Sequence, residues 1–228
     1  MIEMKRKITE HLVKWKDDGC KNPYMLIGAR QVGKTYILQE FCKNNFRQYL
    51  YINLERDQEI KEIFEESIDP EIIIRQIGFL ENHPIDINET VIIIDEIQQS
   101  ERAIVSLKYF AEHDNNYKMI VAGSLLGVAL NRFGSSFPVG KVTRQYLYPM
   151  DFEEFLLALD QDELAKEIRL CFFENRKMFE PVHEKLINYY KDYLYVGGMP
   201  ESVLSYIEAK GDLNYYNRNI KRDMLEDY

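Results

Sequence analysis

Short apolar runs alternate with amphipathic stretches along the first two thirds of the chain. Val91–Ile94 contains four β-branched residues in a row, which is typical of a strand buried on both faces. Tyr24–Ile27 is a second apolar run, and three more strands are predicted at Gln48–Asn53, Tyr117–Ser124 and Lys141–Leu147. Because helical patterns separate these strands, we predict an α/β fold with a parallel sheet flanked by helices on both faces.

The pattern changes after Tyr148-Pro149-Met150. Pro149 lacks a backbone N–H donor, and the residues that follow it have helical periodicity only. After a first helix that carries Phe152 and Phe155, further helices are predicted at Asp162–Glu174, Pro181–Val196, Glu201–Glu208 and from Asn214 onward. We therefore predict two domains: residues 1–148 contain the sheet, and residues 149–228 form a smaller, mostly α lobe that is helical or winged-helix-like.

The composition limits the partners that the chain is expected to bind. Its 228 residues carry a formal net charge of −9, so strong sequence-independent binding to DNA or RNA is not predicted. Binding of nucleic acid at a local patch remains an alternative. Basic residues near the N-terminus lie among apolar ones, which favours an amphipathic helix with a solvated basic face; they are Lys5, Arg6, Lys7, Lys14 and Lys16.

Cysteine usage and hydropathy bear on the compartment. The three cysteines form no C-x-x-C pair and the four histidines are scattered, so neither a disulfide framework nor a zinc site is indicated. No apolar run approaches the roughly 20 residues of a membrane span, and the N-terminus does not have the pattern of a signal peptide. These features predict a cytoplasmic protein with no membrane partner.

Residues 28–35 read Gly-Ala-Arg-Gln-Val-Gly-Lys-Thr and match the phosphate-binding pattern G-x-x-x-x-G-K-[ST], with a strand before them and a helix after them. Glycines let backbone N–H groups turn toward phosphate oxygens, and the helix N-terminus adds to the attraction. The alternative is a plain glycine turn with an exposed lysine. The predicted nucleotide-binding residues are Gly28, Ala29, Arg30, Gln31, Val32, Gly33, Lys34, Thr35 and Tyr36.

Within this loop, Lys34 is expected to reach the β- and γ-phosphates and to take part in catalysis. The Thr35 hydroxyl is expected to take one coordination position on Mg²⁺, an ion that prefers oxygen ligands. ATP and Mg²⁺ are accordingly the predicted cofactors.

Two carboxylates follow the buried run Val91–Ile94. A parallel strand would deliver Asp95 at its C-terminal end, where it would lie beside the Mg²⁺ that Thr35 binds. Glu96 could then act as the general base that activates water. The alternative interpretation is a solvated acidic turn. We predict Asp95 as a metal ligand and Glu96 as a catalytic residue.

Ser124 ends the next predicted strand, at what is expected to be the same edge of the sheet. It is predicted to cap the helix that follows, because Leu125, Leu126 and Val128 come directly after it.

Taken in order, several motifs resemble prokaryotic AAA-type ATP-binding proteins of largely unknown role. They are Trp15, the loop 28–35, Tyr51–Glu55, Ile94–Gln98, Ala122–Ser124, Tyr148–Phe155 and Gly197–Glu201. The resemblance covers nearly the whole chain. It implies an AAA+-like P-loop NTPase of the additional-strand class, favours adenine, and gives Ser124 the role of a sensor that contacts the γ-phosphate or the attacking water.

The resemblance also implies features that this chain matches incompletely. Members have Gly-Arg where this chain has Gly140-Lys141, and lysine lacks the planar fork of an arginine finger. Arg132 and Arg144 are the candidates to replace it from a neighbouring subunit of a possible homo-oligomer. A C-terminal nuclease-like domain of unknown function is expected after a point near the end of this sequence, which suggests a fragment or a shortened member.

Gly197-Gly198-Met199-Pro200 resembles a turn that lies near the adenine in related ATPases, and a simple turn between helices is the alternative. The function predicted from these features is Mg-dependent hydrolysis of ATP to ADP and phosphate, coupled to motion of the lobe or of a partner. The alternative function is an ATP-loaded switch or scaffold that hydrolyses slowly or not at all and recruits a protein or DNA.

Overall fold

The computed structural model describes residues 4–82, 84–124 and 140–226. The chain divides into two compact units. One unit is Ile8–Leu147, and the other combines Met1–Lys7 with Tyr148–Tyr228. The division after Leu147 lies next to the predicted domain boundary, but the first seven residues group with the C-terminal residues and not with the sheet.

The first unit contains a five-stranded sheet in the order β2-β3-β4-β1-β5, and every pairing in it is parallel. The strands are β1 (Tyr24–Gly28), β2 (Gln48–Asn53), β3 (Thr90–Asp95), β4 (Met119–Gly123) and β5 (Thr143–Leu147). The predicted α/β fold is confirmed. Since β4 lies between β1 and β3, the loop after β1, Asp95 and Ser124 come to one edge of the sheet.

Among the described residues of this unit, the α-helices are α1 (Ile8–Asp17), α2 (Lys34–Asn45), α3 (Gln58–Glu66), α4 (Pro70–Leu80) and α5 (Glu101–Glu112). Asp69 is the N-cap of α4, and its side chain accepts hydrogen bonds from the N–H groups of Glu71 and Ile72. Ser100 caps α5 in the same way, by accepting from the N–H of Ala103. A short 3₁₀ helix, Ile97–Gln99, joins β3 to α5.

Strand β3 is buried along its whole length, as its β-branched run predicts. Its residues Ile92 and Ile94 pack in a core cluster with apolar side chains of α3, α4 and α5, among them Phe64, Ile77 and Leu107. Each of these side chains is at most 2% exposed, and burial of one such side chain contributes about 1.5–3 kcal/mol. This core fixes the strand that ends in Asp95.

In the second unit, every element among the described residues is a helix: α6 (Phe152–Ala158), α7 (Asp162–Phe173), α8 (Glu180–Val196), α9 (Pro200–Glu208) and α10 (Asn219–Glu226). The helix expected from Asn214 begins five residues later. The N–H and side-chain amide of Asn214 both donate to Asp212 Oδ1 at 2.9 Å, and this local turn competes with a helix.

The basic residues before α1 do not form the solvated helix face that was predicted. Helix α1 begins only at Ile8, and Arg6 is 6% exposed, with its Nε 3.2 Å from Oε1 of the buried Glu154. Lys5 pairs with Asp162 at 2.7 Å, and Lys7 pairs with Asp151 at 2.6 Å. The prediction was wrong for these three residues because their acidic partners lie more than a hundred positions away. Lys14, within α1, is exposed as predicted.

Candidate nucleotide-binding site

The loop between β1 and α2 turns sharply from strand to helix. Gln31 and Gly33 have φ angles of 60° and 92°, so the backbone passes twice through the left-handed region. Gly33 is the N-cap of α2, and a glycine has no side chain to cap the first N–H groups of that helix. Uncapped N–H groups at a helix N-terminus are donors suited to an anion.

Gly28, the first residue of the loop, lies against the edge strand β5. A Cβ atom at this position would lie 2.4 Å from the carbonyl oxygen of Leu147 and 3.2 Å from Cγ2 of Val32. Val32 itself is fully buried, so the loop has little freedom to move away. The glycine is therefore required by close packing of the backbone.

Lys34 is 6% exposed although it carries an ammonium group. Its Nζ donates to the carbonyl oxygens of Gly28 at 2.9 Å and Ala29 at 2.7 Å, which keeps it inside the loop. Burial lowers the pKa of Lys34, while the nearby carboxylates of Glu96 and Asp95 oppose that shift. A buried ammonium group that two backbone carbonyls hold in place is suited to bind a multiply charged anion.

Asp95 is 3% exposed, and its carboxylate accepts three hydrogen bonds. Thr35 Oγ1 donates to its Oδ2 at 2.6 Å, Tyr51 OH donates to the same oxygen at 2.9 Å, and the N–H of Glu96 donates to Oδ1 at 2.9 Å. These contacts fix the rotamer of Asp95 and bring its carboxylate next to the Thr35 hydroxyl. The structure thus brings the predicted metal ligands together.

The chemistry of this pair fits Mg²⁺. Thr35 and Asp95 offer adjacent oxygen donors, and Mg²⁺ is bound in such sites by one or two protein groups together with waters and substrate phosphates. Within the described parts of the chain, no group of three or more His, Cys, Asp or Glu side chains is arranged to enclose a metal ion. An ion bound by Thr35 and Asp95 would take its other ligands from water or a phosphate group.

Glu96 follows Asp95 in an unusual backbone conformation. Its φ and ψ angles are 52° and 41°, and such left-handed geometry is uncommon for a residue other than glycine. Its Oε2 accepts hydrogen bonds from Nε2 of Gln98 and, at 3.3 Å, from Oγ of Ser124. The carboxylate is therefore held at the same edge of the sheet as Lys34 and Asp95.

The remaining predicted site residues differ in their exposure and in their distance from the Asp95 and Glu96 carboxylates. Arg30 and Gln31 are exposed on the loop, and Tyr36 is 36% exposed on α2. Ser124 is near Glu96, while the helix that it was predicted to cap falls outside the described residues. Among the candidates for a trans-acting cation, Lys141 is paired with Glu112 at 3.1 Å and Arg144 is exposed on β5. Arg132 lies outside the described residues.

Two side chains of the site were not assigned a role from the sequence. Tyr51 reaches Asp95 from β2, whose last four residues pair in register with Ile92–Asp95 of β3. Gln98 reaches Glu96 from the 3₁₀ helix. The position of Tyr51 near the C-terminal end of a strand could have predicted a place in the site. The contact of Gln98 could not be predicted in this way, because it depends on the left-handed turn at Glu96.

The turn that contains Gly197 and Gly198 has a structural role within the second unit. A Cβ on Gly198 would lie 2.1 Å from the carbonyl oxygen of Met150, and Met150 N donates to Gly198 O at 2.6 Å. Gly197 has a φ angle of 81°. These contacts explain the glycine pair through close backbone packing between α8 and the segment before α6.

Comparison with known proteins places more than half of the chain in a described family. A family model described as an AAA domain, AAA_14, matches residues 21–156, which is more than half of the chain. No curated protein matches the chain.

Solved structures with a similar chain path were also found. The ORC2 protein of Aeropyrum pernix has 16% sequence identity and a TM-score of 0.40 in its ADPNP-ADP complexes, where 68% of this chain and 49% of that chain are covered. Its ADP form has 14% identity and a TM-score of 0.39, with 79% and 66% covered. The Pif1 helicase of Candida albicans has 13% identity and a TM-score of 0.42, with 74% and 48% covered. The chain spans about half to two thirds of the length of these structures.

None of the helices in the described part of the chain is both long enough and apolar enough to cross a bilayer.

Proposed function

Since this chain belongs to the AAA domain family AAA_14, we propose that it binds ATP and hydrolyses it to ADP and phosphate in the presence of Mg²⁺. The observation that carries this proposal is the contact between Thr35 and Asp95, with Oγ1 and Oδ2 2.6 Å apart beside the loop that holds Lys34. A phosphate loop, a magnesium pair and a carboxylate one residue further on are the groups that phosphoryl transfer to water requires.

Each group has a distinct role in the proposed reaction. Backbone N–H groups of the loop and the Lys34 ammonium bind the phosphate oxygens, while Thr35 and Asp95 hold Mg²⁺. The ion supplies charge stabilisation at the phosphates when it is bound. The Glu96 carboxylate accepts a proton from water as the water oxygen bonds to the γ-phosphorus. The bond from that phosphorus to the β–γ bridging oxygen breaks, and ADP leaves with the electron pair.

We propose further that the sheet unit is the nucleotide-binding domain and that hydrolysis drives motion of the helical unit or of a bound partner. The division of the chain into two compact units supports this proposal. An equilibrium between two conformations responds to ATP only if one of them binds ATP better than the other. Binding of a partner and assembly into a homo-oligomer are part of the same proposal.

Steady-state hydrolysis by the wild-type chain and Glu96→Gln tests the proposed reaction. Nucleotide titration first establishes that both proteins bind ATP with equal affinity, with and without Mg²⁺. We expect kcat to fall by about 10²–10⁴-fold in Glu96→Gln, because a positioned general base contributes a factor of this size. Glu101→Gln is the matched control, since Glu101 is exposed at the start of α5 and undergoes the same loss of charge.

The outcomes separate hydrolysis from simple binding. Turnover that depends on Glu96 and not on Glu101 supports the ATPase. If the wild type binds ATP and does not turn it over, the hydrolase proposal fails for this chain, and an ATP-loaded switch takes its place.

A further inference from the structure

Gln98 lies where it can control the orientation of Glu96. The left-handed conformation at Glu96 leads into the 3₁₀ helix Ile97–Gln99, which brings Gln98 back toward the carboxylate. Gln98 Nε2 donates a hydrogen bond to Glu96 Oε2. Ser124 Oγ, at the end of β4, donates to the same oxygen from 3.3 Å. Two donors from different elements therefore meet on one oxygen of the carboxylate.

The other end of the Gln98 amide has no hydrogen-bond partner in the described part of the chain. Its Oε1 is buried, and it accepts no hydrogen bond from any residue that the structure describes. Buried polar atoms are usually paired, so a glutamine with a purely structural role is expected to use both ends of its amide. Rotating this amide by half a turn would place Oε1 against the carboxylate, where two acceptors repel. The charge on Glu96 thus sets the orientation of Gln98, even though its buried Oε1 then has no partner among the residues that the structure describes.

We propose that Gln98 is a positioning residue for the hydrolysis of ATP, an inference that rests on the proposed role of Glu96 as general base. By holding Oε2 together with Ser124, Gln98 leaves Oε1 of Glu96 to accept the proton of the attacking water. No hydrogen bond to Glu96 Oε1 is found within the described residues. A carboxylate with one oxygen fixed and the other open has its lone pairs directed before the water arrives, which is the form of preorganisation that favours proton transfer.

The neighbouring residue provides a matched control. Gln99 belongs to the same 3₁₀ helix but is exposed, and no side-chain contact to Glu96 is found for it in the described residues. The substitutions Gln98→Glu and Gln99→Glu change net charge equally at adjacent positions. Only the first removes the amide donor and places a second carboxylate against Glu96.

Kinetics of these two variants and of Gln98→Leu form the first test. In Gln98→Glu and Gln98→Leu we expect kcat to fall at least tenfold, while KM for Mg-ATP and the melting temperature stay close to those of the wild type. Gln99→Glu is expected to keep the wild-type kcat. A parallel loss of ATP affinity and thermal stability in both Gln98 variants would instead indicate a structural role and overturn the proposal.

A second readout does not depend on turnover. The side-chain amide resonance of Gln98 can be assigned by its loss in Gln98→Leu and followed by ¹⁵N NMR in the nucleotide-free protein. We expect it to move in Glu96→Gln and to remain in place in Gln99→Glu. A resonance that is unchanged in Glu96→Gln would show that the contact is not formed in solution, which overturns the proposal.

The two proposals can fail separately. Turnover that depends on Glu96 but is unchanged in Gln98→Glu contradicts the role of Gln98 alone. A wild-type chain that binds ATP without hydrolysing it contradicts the proposed function, and with it the role of Gln98 in that reaction.

Discussion

Thr35 and Asp95 are 60 positions apart in the chain, yet the threonine hydroxyl donates a hydrogen bond to the aspartate at 2.6 Å. The contact exists because β4 alone separates β1 from β3, and all three strands point the same way. The hydroxyl follows β1 by way of the loop, and the carboxylate ends β3. Sheet topology therefore assembles the candidate metal site, and a change in either residue is expected to affect the same property.

Asp95→Asn is expected to remove most of the gain in ATP affinity that Mg²⁺ provides. The substitution keeps the size of the side chain but removes its charge, and a contact to a charged group is worth about 1.5–3 kcal/mol, which corresponds to roughly tenfold or more in affinity. Titration of ATP at increasing Mg²⁺ concentration measures this gain. Asp114→Asn is the control, since Asp114 is exposed in the same unit. An undiminished Mg²⁺ effect in Asp95→Asn would contradict the assignment of the metal site.

Lys34 is expected to give the stability of the sheet unit a characteristic dependence on pH. Burial lowers the pKa of Lys34 below its ordinary value of 10.5, so the folded protein binds fewer protons than the unfolded chain between the lowered pKa and 10.5. The cost of burying the ammonium group is present in full below the lowered pKa. It is relieved as the pH rises through that value toward 10.5.

Relative to Lys34→Met, the wild type should therefore gain unfolding free energy as the pH rises toward 10.5. The single tryptophan, Trp15, lies in the sheet unit, and its fluorescence during urea unfolding provides the measurement. Lys43→Met is the control, because Lys43 is 67% exposed. A constant difference between wild type and Lys34→Met across this range would contradict the inferred shift.

Gly28→Ala is expected to destabilise the sheet unit by about 1–3 kcal/mol, the usual range for an extra group in a well-packed region. The added Cβ would lie 2.4 Å from the carbonyl oxygen of Leu147, so either the loop or β5 must move. Urea unfolding monitored at Trp15 measures the loss. Gly19→Ala separates this clash from backbone strain, because Gly19 has a φ angle of 83° but open space around it. Because Gly28 has no left-handed φ angle, a Gly28→Ala variant as stable as the wild type would contradict the clash.

Arg6→Met is expected to destabilise the helical unit by about 3 kcal/mol or more, because it leaves the buried carboxylate of Glu154 without its ion pair. The Arg6 side chain also donates to the carbonyl oxygen of Tyr148 at 2.6 Å. Hydrogen–deuterium exchange of the amides in α6 measures the effect locally. Lys5→Met removes an exposed ion pair with Asp162 and should leave that exchange unchanged. Equally faster exchange in both variants would show that losing any positive charge destabilises this unit, and would contradict a special role of the buried ion pair.

Much of the fold could be predicted because its signals are local. The β-branched run of β3, the N-cap at Asp69 and the loop 28–35 are each readable within about ten residues. The role of Arg6 was not readable in this way. Its partner Glu154 is also part of a capping box with Asp151, a motif that by itself explains a glutamate at that position.

The details of the site were harder to predict for a related reason. The identities of Asp95 and Glu96 follow from the motif, but the hydrogen bonds that orient them come from Tyr51 and Gln98. The first depends on which strands are neighbours, and the second depends on a left-handed residue that no apolar periodicity reveals. A sequence pattern thus identifies the candidate reacting groups more readily than the groups that hold them in place.

The ion pair between Arg6 and Glu154 also has a consequence for the order of events during synthesis. The arginine is synthesised before the sheet unit, whereas its carboxylate follows only after the whole of that unit, Ile8–Leu147, has been made. Domains generally fold as units while the chain grows. The sheet unit can therefore fold early, while the segment 4–7 can form its ion pair only after helix α6 has emerged. Translation pauses placed well after residue 147 should leave the sheet unit folded and the helical unit still incomplete.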